Sequence, residues 1–294
     1  ALLLNYKSSV MTFVPDAPAG LAHIQYDPPL AGVQRPATVA LAPPGADCGD
    51  WRGALRAELN DPLKVVFQGA YPAACGERVW PVAYPAPREF AARAVEGMWR
   101  ELGGKLTGSV REGKVPAGLK PAFVSTSPAL AEVVRDVNKY SNNVMAQHVF
   151  LTLARQKNGV ATLDGARETL RQWWQARFAD VDAPAPDNGA GLSRDARITA
   201  QALARMLQAA WASPVMPELV ASLPIAGVDG TLRRSQSRSA AHLKTGSLRD
   251  VMAVAGYVHA QSGRRYVLVA IVNHPNANAA RPVLDALTDW AAKD

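Results

Sequence analysis

The pattern that most restricts the fold lies in the last third of the chain. Three strand-like runs, at 242–247, 251–260 and 265–273, follow one another with only a few residues between them. Parallel pairing needs a crossover of a dozen or more residues, so these runs are expected to pair antiparallel. Gln261-Ser262-Gly263 supplies the turn of the second hairpin. Helical spacing surrounds them: a closing helix at about 278–292 carries Val283, Leu287 and Trp290, and two more are expected at about 162–178 and 198–212. Strands grouped together and flanked by helices predict an α+β fold, an antiparallel sheet with helices packed around it, and not a doubly wound sheet.

Upstream, Ser127-Pro128 has the form of a helix start, with Ser as cap and Pro in the first helical position. Leu130, Val133, Val134 and Val137 keep helical spacing, which stalls at Lys139-Tyr140-Ser141-Asn142-Asn143 and resumes through Met145, Val149 and Leu153. Ser141 is therefore expected at a junction between two helices, where a side chain can point into a cleft. Residues 1–82 differ in texture. Short strand-like runs at 3–14, 39–41 and 64–67 are broken by Pro and Gly, the signature of a small β-rich module. The aromatic and Pro-rich stretch 80–87 marks the expected boundary. A helix with Phe90, Ala94, Met98 and Leu102, stopped by Gly103-Gly104, then opens the larger domain, 83–294. The chain begins inside a strand-like run without an initiator Met or a signal-type segment, so the module is expected to be partial, with residues preceding it.

Composition narrows the function classes. Hydrophobic residues make up 48% and charged residues 19%, an ordinary globular mixture. No apolar run approaches the roughly 20 residues of a membrane-spanning helix. The net charge of +7 is spread over scattered residues such as Arg93, Arg100, Arg111 and Arg135. Without a basic tract and interleaved aromatics it argues against nucleic acid, and it suits a polymer carrying carboxylates. His23, His148, His242, His259 and His274 do not fall at metal-ligand spacings, so no metal is expected. Trp173-Trp174 on a helix is read as packing, and Asp229 as a carboxylate that caps a turn. Arg194 either braces its Gly-rich loop or meets a substrate carboxylate.

Four strings carry the chemistry. Lys244-Thr245-Gly246-Ser247 falls on a strand and Ser141-Asn142-Asn143 between helices. In this order and placement they match two of the three motifs of penicillin-recognising serine enzymes. Asp187-Asn188-Gly189-Ala190-Gly191-Leu192-Ser193-Arg194 and Leu223-Pro224-Ile225-Ala226-Gly227-Val228-Asp229-Gly230-Thr231-Leu232 narrow the match further. With them the chain resembles the class C low-molecular-mass penicillin-binding proteins, the D-Ala-D-Ala carboxypeptidase/endopeptidase family that includes penicillin-binding protein 4. The resemblance implies a penicillin-binding, transpeptidase-like domain that cleaves peptidoglycan stem peptides through an acyl-enzyme, without a cofactor, and that β-lactams acylate. Ser141 would relay a proton to the leaving amine, and Asn143 would hold the substrate amide. Lys244 would supply positive potential at the site of proton transfer. Thr245 and Ser247 would offer hydroxyls to the terminal carboxylate, with Gly246 between them, and the Ser247 N–H would be an oxyanion donor.

The nucleophile of such enzymes belongs to a Ser-x-x-Lys motif, and no serine in this sequence has Lys three residues later. An upstream position for that motif is the expectation. A nucleophile-free homologue that only binds or scaffolds peptidoglycan is the competing reading, and a β-lactamase is disfavoured by the two Gly-rich strings. The resemblance also implies a periplasmic location. In an oxidising compartment Cys48 and Cys75, both in loop-like contexts, are expected to bridge; two buried thiols are the alternative.

Overall fold

The computed structural model describes residues 3–294. The chain divides into two compact units, one ending at residue 122 and the other comprising 123–294.

In the first unit β1 (Ser8–Asp16), β2 (Leu21–Asp27), β3 (Thr38–Ala40) and β6 (Arg78–Ala83) form an antiparallel sheet in the order β3-β2-β1-β6. Between them lie α1 (Trp51–Ala54) and the short pair β4 (Ala57–Glu58) and β5 (Val66–Phe67). Alternation drives the sheet. Met11 and Phe13 of β1 and Ala22 and Ile24 of β2 all turn inward, onto Leu55 and Tyr71. The Phe13 ring stacks on Tyr71, with centroids 5.4 Å apart, and meets Trp51 and Phe67 edge-on. Cys48 and Cys75 are joined in a disulfide at the margin of this cluster.

Several expectations are corrected here. The run 3–14 is not strand throughout: Asn5–Lys7 form a 3-10 turn with φ of 41°, 52° and 56°, and pairing begins at Ser8. The stretch 80–87 does not separate two domains, because its first residues belong to β6. Pro81 disguised that strand, but β6 is at the sheet edge, where a missing N–H is tolerated. The helix after it, α2 (Phe90–Glu101), packs with the first unit: Phe90 and Ala94 are buried against Leu30 and Tyr84. The division between units accordingly falls at 122/123 rather than at 82/83.

The second unit has the expected α+β character. Its sheet is an antiparallel meander of β7 (Ala241–Leu248), β8 (Val251–His259) and β9 (Arg265–Asn273). Both faces are covered. Ala241, Leu243, Met252, Val254, Val258 and Leu268 pack against Leu284 and Ala291 of α8 (Arg281–Ala292). On the other face Tyr257, Val267 and Val269 meet Leu203 and Leu207 of α6 (Ala200–Trp211), and the Tyr257 hydroxyl donates to the Leu207 carbonyl at 2.7 Å. The remaining helices are α3 (Leu130–Tyr140), α4 (Asn143–Asn158), α5 (Leu163–Arg177) and α7 (Met216–Ser222). Trp174 is buried on Phe178, in keeping with a packing role, while Trp173 is partly exposed under Arg177. Two boundaries move: α3 starts at Leu130, with no side-chain cap from Ser127, and α8 starts at Arg281 after a 3-10 turn. No helix among the described residues is long and apolar enough to cross a membrane.

Candidate active site

The site is built around a break in helical structure. At Ser141 the chain turns left-handed (φ 52°, ψ 47°), ending α3, and Asn142 then starts α4 by accepting the Met145 N–H at 3.0 Å. The left-handed residue is what turns α4 away from α3 and places Ser141 at the bend. Lys244 approaches from β7. Strand alternation puts His242 and Lys244 on the face opposite Ala241 and Leu243, which enter the core under α8. The Lys244 ammonium donates to the Ser141 hydroxyl oxygen and, at 3.1 Å, to the Thr245 carbonyl. Burial pushes the lysine's pKa below its ordinary value.

The rest of the site lies in the same cleft, of about 1310 Å³. Ser141, Asn143, Arg194, Lys244, Thr245, Gly246 and Ser247 all line it, so every catalytic or substrate-binding residue proposed from the sequence is brought to one place. The edge of β7 is open along part of the cleft. The segment 224–226 covers only its first half, through Leu243 N–H to Pro224 O (2.9 Å) and Ala226 N–H to Ala241 O (3.0 Å). Because Leu243 directs its N–H to that edge, alternation directs those of Thr245 and Ser247 there too, beyond the covered part.

Two Gly-rich segments form the walls. In the 187–194 segment the Asn188 side chain accepts the N–H groups of Ala190 and Gly191 (3.0 and 2.9 Å), and Gly189 donates to Gln147 Oε1 at 2.7 Å. A Cβ on Gly189 would stand 2.5 Å from the Phe150 Cβ, so only glycine lets this loop lie against α4. Arg194 meets Asp250: one guanidinium nitrogen reaches both carboxylate oxygens at 2.7 and 2.8 Å, and this hydrogen bonding holds the Asp250 carboxyl below its usual range. Arg194 thereby ties its Gly-rich loop to the turn between β7 and β8. Asp229 caps its turn as expected, accepting the Ile225 N–H at 2.8 Å. Sequence reasoning missed its second partner, Lys139 (2.6 Å), and the contact between the hydroxyls of Thr231 and Thr245 (2.8 Å). Nothing in either string signals those pairings. Among the described residues no cluster of His, Cys, Asp and Glu is arranged to hold a metal.

Behind Lys244, the His242 ring lies 5.4 Å from that of His259, and its Nδ1 is 3.1 Å from the Val220 carbonyl. His259 Nε2 is buried without a partner. Burial lowers both imidazole pKa values. For His242 the Lys139 charge adds to this and the Val220 hydrogen bond and Asp229 oppose it; for His259 Arg265 and His242 add to it. A base with a depressed native pKa stays neutral in the fold while the unfolded chain takes up protons. Its stabilisation is complete above the unfolded value, about 6.5, and is lost as pH falls through the lower native value. Urea unfolding of the chain is therefore expected to show a lower midpoint at pH 5 than at pH 7.5. Replacing both histidines by Asn should flatten that slope.

The family model described as the D-Ala-D-Ala carboxypeptidase 3 (S13) family matches residues 45–294. Among curated proteins, the D-alanyl-D-alanine carboxypeptidase of Actinomadura sp. (strain R39) is 29% identical over 206 residues, covering 66% of this chain and 38% of that protein. Carboxypeptidase DacB of Mycolicibacterium smegmatis is 31% identical over 187 residues, 59% of this chain and 40% of that one. The chain thus spans about two fifths of the length of the curated relatives it matches. The crystal structure of penicillin binding protein 4 from Haemophilus influenzae, complexed with a β-lactam, aligns with a TM-score of 0.66 at 19% identity, over 97% of this chain and 70% of that one. That likeness shows the fold. With the family model matching from residue 45 to the last residue, the chain belongs to the D-Ala-D-Ala carboxypeptidase 3 (S13) family.

Proposed function

We propose that the natural protein carrying this chain is a serine-type D-Ala-D-Ala carboxypeptidase/endopeptidase that acts on peptidoglycan stem peptides in the periplasm and is a β-lactam target. The observation that carries the reading is the meeting of Ser141 and Lys244, 103 residues apart in sequence, in a cleft beside an open strand edge. Acyl transfer needs a nucleophile, a proton path to the leaving amine, a hold on the substrate and donors for the oxyanion. This chain supplies the last three. The Lys244–Ser141 pair is the proton path, and the lowered lysine pKa eases release and recapture of the proton. The hydroxyls of Thr245 and Ser247 receive the terminal carboxylate, and Asn143, exposed in the cleft at the start of α4, takes the substrate amide. The Ser247 N–H, on the open edge, is one oxyanion donor. The acylated serine and its base are not among these residues, since no serine here has Lys three positions later.

The test is covalent labelling of the natural protein by a fluorescent penicillin. A labelled band that survives denaturing electrophoresis and is competed by unlabelled penicillin supports the reading. If that protein carries Ser-x-x-Lys and stays unlabelled at saturating probe, the proposal fails and the binding-only reading replaces it. The 294-residue chain by itself is expected to stay unlabelled.

A further inference from the structure

The segment 223–232 touches both halves of the site. At one end Asp229 Oδ2 accepts from the Lys139 ammonium at 2.6 Å, and the same ammonium donates to the Leu223 carbonyl at 2.7 Å. Lys139 lies two residues before Ser141, and its side chain is only 12% exposed. An ammonium so enclosed must stay paired, because its charge would otherwise be left without water or a partner. Burial pushes the Asp229 carboxyl up, yet the hydrogen bonds from Lys139 and the Ile225 N–H, with the lysine's charge, hold it below its usual range. Gly230 then passes directly over the end of α3. Its φ is 53°, and a Cβ there would lie 2.4 Å from the Lys139 carbonyl oxygen. One residue on, the Thr231 hydroxyl meets that of Thr245 at 2.8 Å. Nearer its start, Pro224 and Ala226 hydrogen-bond to β7 itself. Close by, Asn138 donates to Ser222 Oγ at 2.8 Å, tying α3 to α7.

We infer that the segment 223–232 is a clasp that fixes the register between the Ser141 turn and the Lys244–Ser247 strand, with Asp229, Lys139 and Thr231 as its positioning residues. The inference rests on the proposed acyl-transfer function for its consequence, but not for its geometry. On the α3 side the left-handed Ser141 is held by main-chain bonds to a single acceptor, its own N–H and that of Asn142 both going to the Val137 carbonyl. Two tethers, one behind it at Lys139 and one across the cleft at Thr245, set where its hydroxyl sits relative to Lys244. Thr231 also acts on the substrate side, where its hydroxyl orients that of Thr245, which is then aimed at an incoming carboxylate. Neither Asp229 nor Thr231 needs to touch the reacting atoms.

Two measurements test this. In the natural protein, Thr231→Val keeps the shape and removes the hydroxyl. Its penicillin acylation rate should fall about tenfold, the size of one neutral hydrogen bond lost, while Thr231→Ser returns it to within about threefold of the original. An equal loss in both variants, or no loss in either, overturns the role of Thr231. In the 294-residue chain, Asp229→Asn should speed hydrogen exchange at the Asn142 amide, which donates to the Val137 carbonyl (3.1 Å), and leave β8–β9 amides unchanged. Unchanged exchange at Asn142, or acceleration through the whole sheet, overturns the clasp. The exchange arm needs no nucleophile, so a protein that fails to react with penicillin sinks the acyl-transfer reading and leaves the clasp to be decided by exchange alone.

Discussion

Lys244→Ala in the natural protein is expected to slow acylation by penicillin by a factor of about a hundred to ten thousand, the range for loss of a positioned proton donor. The Lys244 ammonium is in contact with Ser141, held by that hydroxyl and the Thr245 carbonyl. Alanine removes the proton path and the positive potential together. Lys244→Arg is the informative control. It keeps a charge but a guanidinium does not deprotonate, so if the lysine handles a proton, arginine restores substrate affinity more than it restores rate. Stopped-flow acylation that gives the apparent affinity and the limiting rate separately distinguishes the two contributions. Recovery of the full limiting rate with arginine would assign Lys244 a purely electrostatic part.

Gly256→Ala is expected to have the largest effect on stability. Gly256 stands opposite Leu243 in the middle of β8, the central strand, and a Cβ there would lie 2.1 Å from the His242 carbonyl oxygen and 3.0 Å from the Leu243 Cα. Those are backbone atoms of β7, which cannot rotate away as a side chain would. The strand carrying Lys244 has to shift, at a cost of about 3 kcal/mol, read as a lower urea midpoint. Gly246→Ala is the contrast. A Cβ there meets only the Ala253 Cβ, at 3.5 Å, so the fold should keep its stability within about 0.5 kcal/mol. Equal destabilisation by the two alanines would mean that β7 and β8 are not held as closely as their register implies.

What was legible in the sequence follows from how local each cause is. The strand 265–273 is found at the expected residues because β-branched and aromatic side chains end at a Gly-containing turn on one side and a polar run on the other. The helices at 163–177 and 200–211 follow their apolar spacing to within two residues. The bend at Ser141 was visible as a stall in that spacing, though not its left-handed geometry. Where tertiary context decides, the sequence is silent. The strand β2 holds His23 and Gln25 between its inward residues and is recruited by pairing with β1 along seven residues. β6 hides behind Pro81, and only its edge position makes that proline acceptable. In the site, the four motif strings were legible one by one. The bonds that hold them together join Lys139, just ahead of the Ser141 string, to Asp229, 90 residues away, and Thr231 to Thr245, 14 away, and no local pattern announces either.

The half-covered edge of β7 has a consequence for what the protein leaves alone. A peptide can lie along Thr245–Ser247 only with its own backbone extended and its amides unpaired. Native proteins seldom present such a stretch: helices turn their amides inward, and strands have already given theirs to neighbours. A flexible, short stem meets the requirement at little cost in conformational freedom, whereas a folded neighbour would first have to unravel. Under the proposed function, discrimination between a stem peptide and a folded protein would thus begin at the main chain, before any side chain is read. The same edge, being only a few residues long, also gives a second copy of the sheet little to zip onto, which guards against strand-to-strand association while the cleft is empty.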